Sequence, residues 1–135
     1  MALDQVVSLR LAIGLGCRRE CPAEAILAVV REACVGFDLT GAGLFTAEAK
    51  CGEAGLREVA ARLGLPLVFL PAEQLAMVAN RVTHRSRRVE AALGVPSVAE
   101  AAALAGAGPG SRLTVPRLAH AAATCAVAAP LEVCA

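Results

Sequence analysis

Aromatic residues are nearly absent from this sequence. The 135 residues include no Trp, no Tyr and three Phe, and the 13 basic residues nearly balance the 12 acidic ones, for a formal net charge of +1. Proteins that bind nucleic acid use a basic surface against the phosphates, and those that bind single strands also stack bases on aromatic rings. We therefore expect no nucleic-acid partner.

Long uncharged runs are also missing. The longest stretch without Asp, Glu, Lys or Arg spans 14 residues, 118–131, whereas a membrane helix needs about 18 or more apolar residues. The first ten residues contain Asp4 and show no basic region ahead of an apolar stretch, as an export signal would. We expect a cytoplasmic protein that has no membrane partner.

The cysteines do not form a metal-binding pattern. No two of the six stand in a C-x-x-C spacing, and the chain has only two histidines, so the ligand spacing of a zinc site is missing. We expect no metal and no cofactor. Cys34, Cys125 and Cys134 lie in apolar surroundings, where cysteine behaves as a small hydrophobe. Most of the cysteines are interpreted as reduced core thiols.

Strand and helix patterns alternate over the first two thirds of the chain. The predicted strands begin at Val6, Gly43 and Leu65, and the predicted helices span 22–35, 53–63 and 71–82. Such alternation predicts an α/β fold with a mostly parallel sheet and right-handed crossovers. We predict a single three-layer α/β/α domain over residues 1–135.

The C-terminal third has a different pattern. Two helices are predicted over 83–93 and 97–105, separated by Gly94, Val95 and Pro96, with Ser97 and Glu100 forming an S-x-x-E capping box. Two closing strands should follow around a turn or bulge, and Pro116 favours an edge position because proline cannot donate to a sheet ladder. The sheet should therefore end in an antiparallel or edge strand pair.

Three segments can carry binding chemistry. The first is the glycine turn Gly14–Arg19, which follows a strand and precedes a helix, so its backbone amides can meet an anion. Its third glycine is replaced by Arg19, so a dinucleotide fingerprint is weak. The alternative for this segment is a strand-ending turn that needs small residues.

The other two segments carry positive charge. Lys50 is the only lysine and follows the second predicted strand, where it can bind a carboxylate or act as a base, or else stay solvated beside Glu48 or Glu53. In the run 81–88, Arg81, Arg85 and Arg88 would share one helix face and could clamp a polyanion, although such runs are usually solvated. If the three segments gather at the carboxyl edge of the sheet, they form a site for a small molecule with several carboxylates.

These segments resemble a known family, that of CobE and the C-terminal domain of CbiG, both of cobalamin biosynthesis. The similar stretches are GLGCRRECPAEAI, AEAKCGEAGLREVAARLGLPLVFLPAEQL, SRRVEAALGVPSVAEAAALAGAG and LTVPRLAHAAATCAVAA. Two positions depart from the family's pattern: Cys21 stands where a hydroxyl residue is usual, and Arg117 where lysine is common.

The resemblance implies a three-layer α/β/α domain, a role in building the corrin ring and a set of ligand-binding residues. Carried over position by position, that set is Gly14, Gly16, Cys17, Arg18, Lys50, Glu53, Ser86, Ser97 and Glu100. No catalytic group is identified, because His84 and His120 lack an acidic or thiol neighbour at a suitable spacing.

Our leading functional hypothesis is a protein that binds or carries a precorrin or other corrinoid intermediate of the oxygen-dependent route. Such intermediates carry acetate and propionate side chains, which arginines and a lysine can bind. One alternative is a hydrolase related to cobalt-precorrin-5A hydrolase, with Lys50 or Glu53 assisting water. The other is an interaction module that docks onto another enzyme of the pathway.

Overall fold

One open sheet organises the computed structural model, which describes residues 10–131. Its strands are β1 (Ala12–Cys17), β2 (Gly43–Ala47), β3 (Leu67–Leu70), β4 (Arg112–His120) and β5 (Ala123–Ala129), and they lie in the order β3-β2-β1-β5-β4. β1, β2 and β3 pair in parallel, whereas β5 is antiparallel to both β1 and β4. The predicted α/β fold with an antiparallel C-terminal pair is confirmed.

Helices cover both faces of the sheet. α1 (Ala23–Ala33) and α2 (Ala54–Leu63) pack on one face, as expected when two right-handed crossovers run in the same direction. α3 (Ala72–Ala76), α4 (Arg87–Leu93) and α5 (Val98–Ala107) follow the third strand, and α5 lies across the other face. Short 3₁₀ turns at Glu48–Lys50 and Ala79–Arg81 complete the order.

The alternation of side chains along β1 separates two cores. Ile13 and Leu15 are fully buried on the side of α1 and α2. Gly14, between them, faces α5: a Cβ there would overlap the carbonyl oxygen of Ala99 and lie 2.6 Å from the nitrogen of Ala103. The backbone of α5 therefore rests directly on β1, which places the N-terminus of α5 beside the end of that strand.

Two predicted helices are shorter in the structure. The helix predicted over 71–82 ends at Ala76, and the chain reaches the buried Val82 through the 3₁₀ turn. The helix predicted from Thr83 begins at Arg87. The amides of Thr83 and His84 donate to the Glu100 carboxylate instead of entering a helix, which accounts for the later start of α4.

The interpretation of Arg81, Arg85 and Arg88 as one helix face is wrong. Arg81 lies in the 3₁₀ turn and its guanidinium donates to the carbonyl of Ser111, whereas Arg85 lies in the following loop and only Arg88 is on α4. The three arginines are separated because residues 82–86 are not helical.

The capping box at the start of α5 forms by half. Ser97 Oγ accepts from the amide of Glu100 at 3.3 Å. The Glu100 carboxylate turns away from the helix end and accepts hydrogen bonds from Thr83, His84 and Arg117. Glu100 therefore links α5 to the segment before α4 and to β4, and its side chain does not cap its own helix.

The closing strands match the prediction. Pro116 lies on the edge strand β4, and the pairing register between β4 and β5 shifts between Val115 and Leu118.

Residues 6–9 of the predicted first strand, and Cys134, lie outside the described residues. Within residues 10–131, no single helix is long and apolar enough to cross a membrane. Only α4 and α5 taken together have that length and composition, and the two are bent by 63° relative to each other.

Candidate functional site

A cavity of about 640 Å³ lies at the carboxyl ends of β1 and β2. Its walls come from the turn after β1, the 3₁₀ turn after β2, the segment around α4, the N-terminus of α5 and the β4–β5 hairpin. The lining residues are Gly16, Cys17, Arg18, Lys50, Ser86, Arg88, Val89, Ala92, Leu93, Pro96, Ser97, Val98, Arg117, Ala119, Ala121, Ala122 and Thr124. Its volume is within the range of small-molecule sites.

The charged side chains of the lining are all of one sign. Arg18, Lys50, Arg88 and Arg117 carry positive charge, and no carboxylate of residues 10–131 belongs to the lining. Lys50 and Arg117 are half-buried, whereas Arg18 and Arg88 are exposed. A cleft lined by one sign of charge concentrates oppositely charged ligands. The arrangement thus favours a ligand with several anionic groups.

One wall of the cavity is apolar. Val89, Ala92 and Leu93 of α4 line it together with Pro96 and Val98. Val89 and Leu93 are only partly buried against the core that includes α5, so part of this apolar side of the helix is available to the cavity. A ligand that combines carboxylates with an apolar surface would satisfy both kinds of wall.

The turn after β1 is held in place by two long-range contacts. The amide of Arg18 donates to the carbonyl of Ala122 at 2.9 Å, which joins the turn to the β4–β5 hairpin. Glu20 has a positive φ of 60°, and its amide donates to Glu53 Oε1 at 2.7 Å. Glu53 therefore stabilises the turn through this hydrogen bond, and it does not line the cavity.

Cys17 lies in the cavity as a neutral thiol at neutral pH. Burial and the neighbouring Cys21 raise its pKa to about 11, against the opposing charge of Lys50. Because the thiolate is the nucleophilic form, this cysteine is not activated for covalent chemistry. Among residues 10–131, no group of three or more His, Cys, Asp or Glu is arranged to hold a metal ion.

The resemblance-derived residues divide into two groups. The cavity brings together six of them: Gly16, Cys17, Arg18, Lys50, Ser86 and Ser97. The other three residues lie outside the lining. Gly14 packs against the backbone of α5, Glu53 accepts from the amide of Glu20 in the turn after β1, and Glu100 is buried on α5. A binding role for any of the nine stays a prediction. The cavity does bring together the end of the glycine turn, Lys50 and, of the arginines in the run 81–88, Arg88.

Several lining residues were not assigned as binding residues by the sequence. Arg117 was noted only as a departure from the family pattern, and Thr124 and the apolar wall were not identified. Arg117 directly follows Pro116 on an edge strand, where the register shifts. Bulges can redirect a side chain, so this proline is the one signal in the sequence that could have pointed to Arg117. The apolar wall depends on how α4 docks, which no local pattern specifies.

Comparison with known proteins assigns the family. The family model described as "Cobalamin synthesis G C-terminus" matches residues 11–128. The chain belongs to this family. CobE from Sinorhizobium sp is 34% identical over 123 residues, which cover 89% of this chain and 80% of that protein. This member of the cobalamin synthesis G C-terminal family is therefore a protein of cobalamin biosynthesis.

Solved structures agree with this family membership. The crystal structure of CobE, a protein from the cobalamin (vitamin B12) biosynthetic pathway, superimposes with a TM-score of 0.86 at 32% identity and covers 95% of both chains. The cobalamin biosynthesis protein chiG from Agrobacterium tumefaciens gives 0.73 at 37% identity, covering 90% of this chain and 99% of that one. A cobalamin biosynthesis protein G homologue from Sulfolobus solfataricus, 19% identical, shares the fold (TM-score 0.66, covering 91% of this chain and 37% of that one).

Proposed function

We propose that this protein binds a precorrin or related corrinoid intermediate in the cavity at the end of β1 and carries it between steps of the oxygen-dependent route. The observation that carries the proposal is the lining itself: four cationic residues, no anionic residue from the described part of the chain, and an apolar wall. Corrinoid intermediates present peripheral carboxylates around an apolar ring, so both features have a partner on the ligand.

The residues of the site favour binding over hydrolysis. Glu53, the carboxylate that could assist water, accepts a hydrogen bond from the Glu20 amide and does not line the cavity. The Cys17 thiol, whose pKa is raised to about 11, is a poor nucleophile at neutral pH. The lining groups instead supply charge, hydroxyl donors and apolar contact, which are the requirements of a binding site.

The proposal is tested by titrating the purified protein with hydrogenobyrinic acid and following the visible spectrum of the ligand. We expect saturable binding at micromolar concentrations. Lys50→Ala and Arg117→Ala should each weaken it by about 1.5 kcal/mol, roughly tenfold, since each removes one charge-assisted hydrogen bond at a half-buried position. Affinity should also fall as salt rises.

Arg31→Ala is the matched control. Arg31 is an exposed cation in the last turn of α1, on the opposite face of the sheet, and it is outside the lining. Its removal changes the net charge by the same amount, so the affinity should stay within about twofold of the original protein at moderate salt. No saturable spectral change, or an equal loss in all three variants, would contradict the proposal. Hydrolysed product released from a lactone-bearing intermediate would support the hydrolase alternative instead.

A further inference from the structure

Glu100 is the one charged residue among the fully buried side chains of residues 10–131. It lies on α5, with none of its surface exposed. Burying a carboxylate is costly unless hydrogen bonds compensate for the lost water. The buried carboxylate of Glu100 should therefore have specific hydrogen-bond partners.

Those partners come from two separate walls of the cavity. Oε1 accepts from the amides of Thr83 at 2.6 Å and His84 at 2.9 Å, in the segment that leads into α4. Oε2 accepts from Thr83 Oγ1 at 2.6 Å and from the amide of Arg117 at 2.9 Å, on β4. One carboxylate thus joins the α4 side of the cavity to the hairpin side, with α5 between them.

The amide of Arg117 is free for this contact because of the bulge at Pro116. The β4–β5 pairing passes from Val115 to Leu118 with a shift in register, and Arg117 has no register partner on β5. An unpaired amide at a half-buried position would be unfavourable, and Glu100 satisfies it. The residue whose backbone is fixed in this way also lines the cavity.

We propose that Glu100 is a positioning residue for Arg117: its carboxylate fixes the bulged backbone of β4 so that the Arg117 guanidinium faces the ligand carboxylates. This inference rests on the proposed function for the identity of the ligand. Glu100 itself does not touch the ligand, because it is fully buried and outside the lining. It acts through a backbone contact 2.9 Å long.

Glu100→Gln changes that contact selectively. A glutamine keeps one acceptor oxygen, and its amino group must occupy the place of one carboxylate oxygen. Facing Thr83 and His84, the amino group would oppose two backbone N–H donors. Facing Arg117, it opposes one N–H donor and the Thr83 hydroxyl, which can reverse and accept. The second orientation costs less, so the variant should lose the Arg117 contact and keep the other two backbone contacts.

The first test is hydrogen exchange at the Arg117 amide, measured by NMR without ligand. In the original protein this amide should exchange as slowly as paired amides of β5, and Glu100→Gln should accelerate it by on the order of tenfold or more. Fast exchange of Arg117 in the original protein would overturn the inference, even if the variant fails to fold.

The second test is a double-mutant cycle on binding of hydrogenobyrinic acid. If Glu100 acts through Arg117, then Glu100→Gln should weaken binding by on the order of tenfold alone but by less than about twofold in a protein that already carries Arg117→Ala. Combined with Lys50→Ala, across the cavity, its full effect should remain. Val59→Ala, which destabilises the core on the opposite face, should leave the affinity unchanged and so controls for loss of stability.

Additive effects of Glu100→Gln and Arg117→Ala, or weakened binding in the Val59→Ala control, would overturn the positioning role. Absence of binding by the original protein would contradict the proposed function instead. In that case the exchange measurement still decides whether Glu100 fixes the Arg117 backbone.

Discussion

Two glycines of β1 should respond differently to substitution by alanine, one mainly in stability and the other mainly in ligand binding. Gly14 and Gly16 are two residues apart and so point to the same face of the sheet, toward α5. A Cβ at position 14 would overlap backbone atoms of Ala99 and Ala103, which move only if α5 moves. A Cβ at position 16 would lie 2.6 Å from Thr124 Oγ1, a side-chain atom that can rotate away, and 3.7 Å from the Val98 Cβ.

The expected magnitudes follow from these neighbours. Overpacking against fixed atoms typically costs about 1–3 kcal/mol, and replacing Gly by Ala recovers about 0.4–1 kcal/mol by restricting the unfolded chain. For Gly14→Ala we expect a net loss of about 2 kcal/mol in the free energy of unfolding. For Gly16→Ala we expect a loss below about 1 kcal/mol, but roughly tenfold weaker ligand binding, because the added methyl and the rotated Thr124 occupy the cavity.

Urea unfolding followed by circular dichroism measures the first quantity, and titration with hydrogenobyrinic acid measures the second. Gly52→Ala is the control. Apart from its chain neighbours, no described residue has a heavy atom within 4 Å of a Cβ built there, and its φ is not in the left-handed region. The reasoning would be refuted if Gly14→Ala were as stable as Gly52→Ala, or if Gly16→Ala bound ligand with unchanged affinity.

Two further predictions concern titratable groups. Burial raises the pKa of Glu100, but the hydrogen bonds from Thr83, Arg117 and His84 outweigh it and hold that pKa below its ordinary value of 4.5. A lowered carboxyl pKa stabilises the fold above the ordinary value, and the effect is lost as pH falls through the folded-state value. Between about pH 5 and about pH 3, the urea midpoint should therefore fall further in the original protein than in Glu100→Gln. Equal decreases in the two proteins would contradict the lowered pKa of Glu100. Cys17, with a pKa of about 11, should react with iodoacetamide at pH 8 more slowly than the exposed Cys51, as resolved by peptide mass mapping; equal rates would refute the assigned environment.

Sequence patterns predicted the helices and strands whose boundaries depend on residues close to them in the chain. Helical spacing and Gly64 at a positive φ of 68° define α2, and the apolar run through Gly14 and Gly16 defines β1. The capping serine at position 97 was also identified correctly as the start of α5. These signals lie within a few residues of the structure they specify.

Contacts between distant residues account for the errors. The amides of Thr83 and His84 are held by Glu100, 17 and 16 residues later, so the helix predicted from Thr83 begins only at Arg87. The guanidinium of Arg81 is likewise directed to Ser111, away from the helix face expected for it. Arg117 reaches the cavity through a bulge that only the folded sheet defines. The sequence indicated that the three segments would form one site if they gathered at the carboxyl edge of the sheet. Which cations line the cavity depends on the tertiary structure.

The location of the bound ligand tests the central claim most directly. In a two-dimensional NMR titration with hydrogenobyrinic acid, the largest shifts should fall on the amides around the cavity, in the ranges 16–18, 86–89 and 117–124 and at Lys50. Amides of α1 and α2, on the opposite face of the sheet, should stay within experimental error. Shifts concentrated on α1 and α2, or no shifts at saturating ligand, would contradict the assignment of the cavity as the corrinoid site.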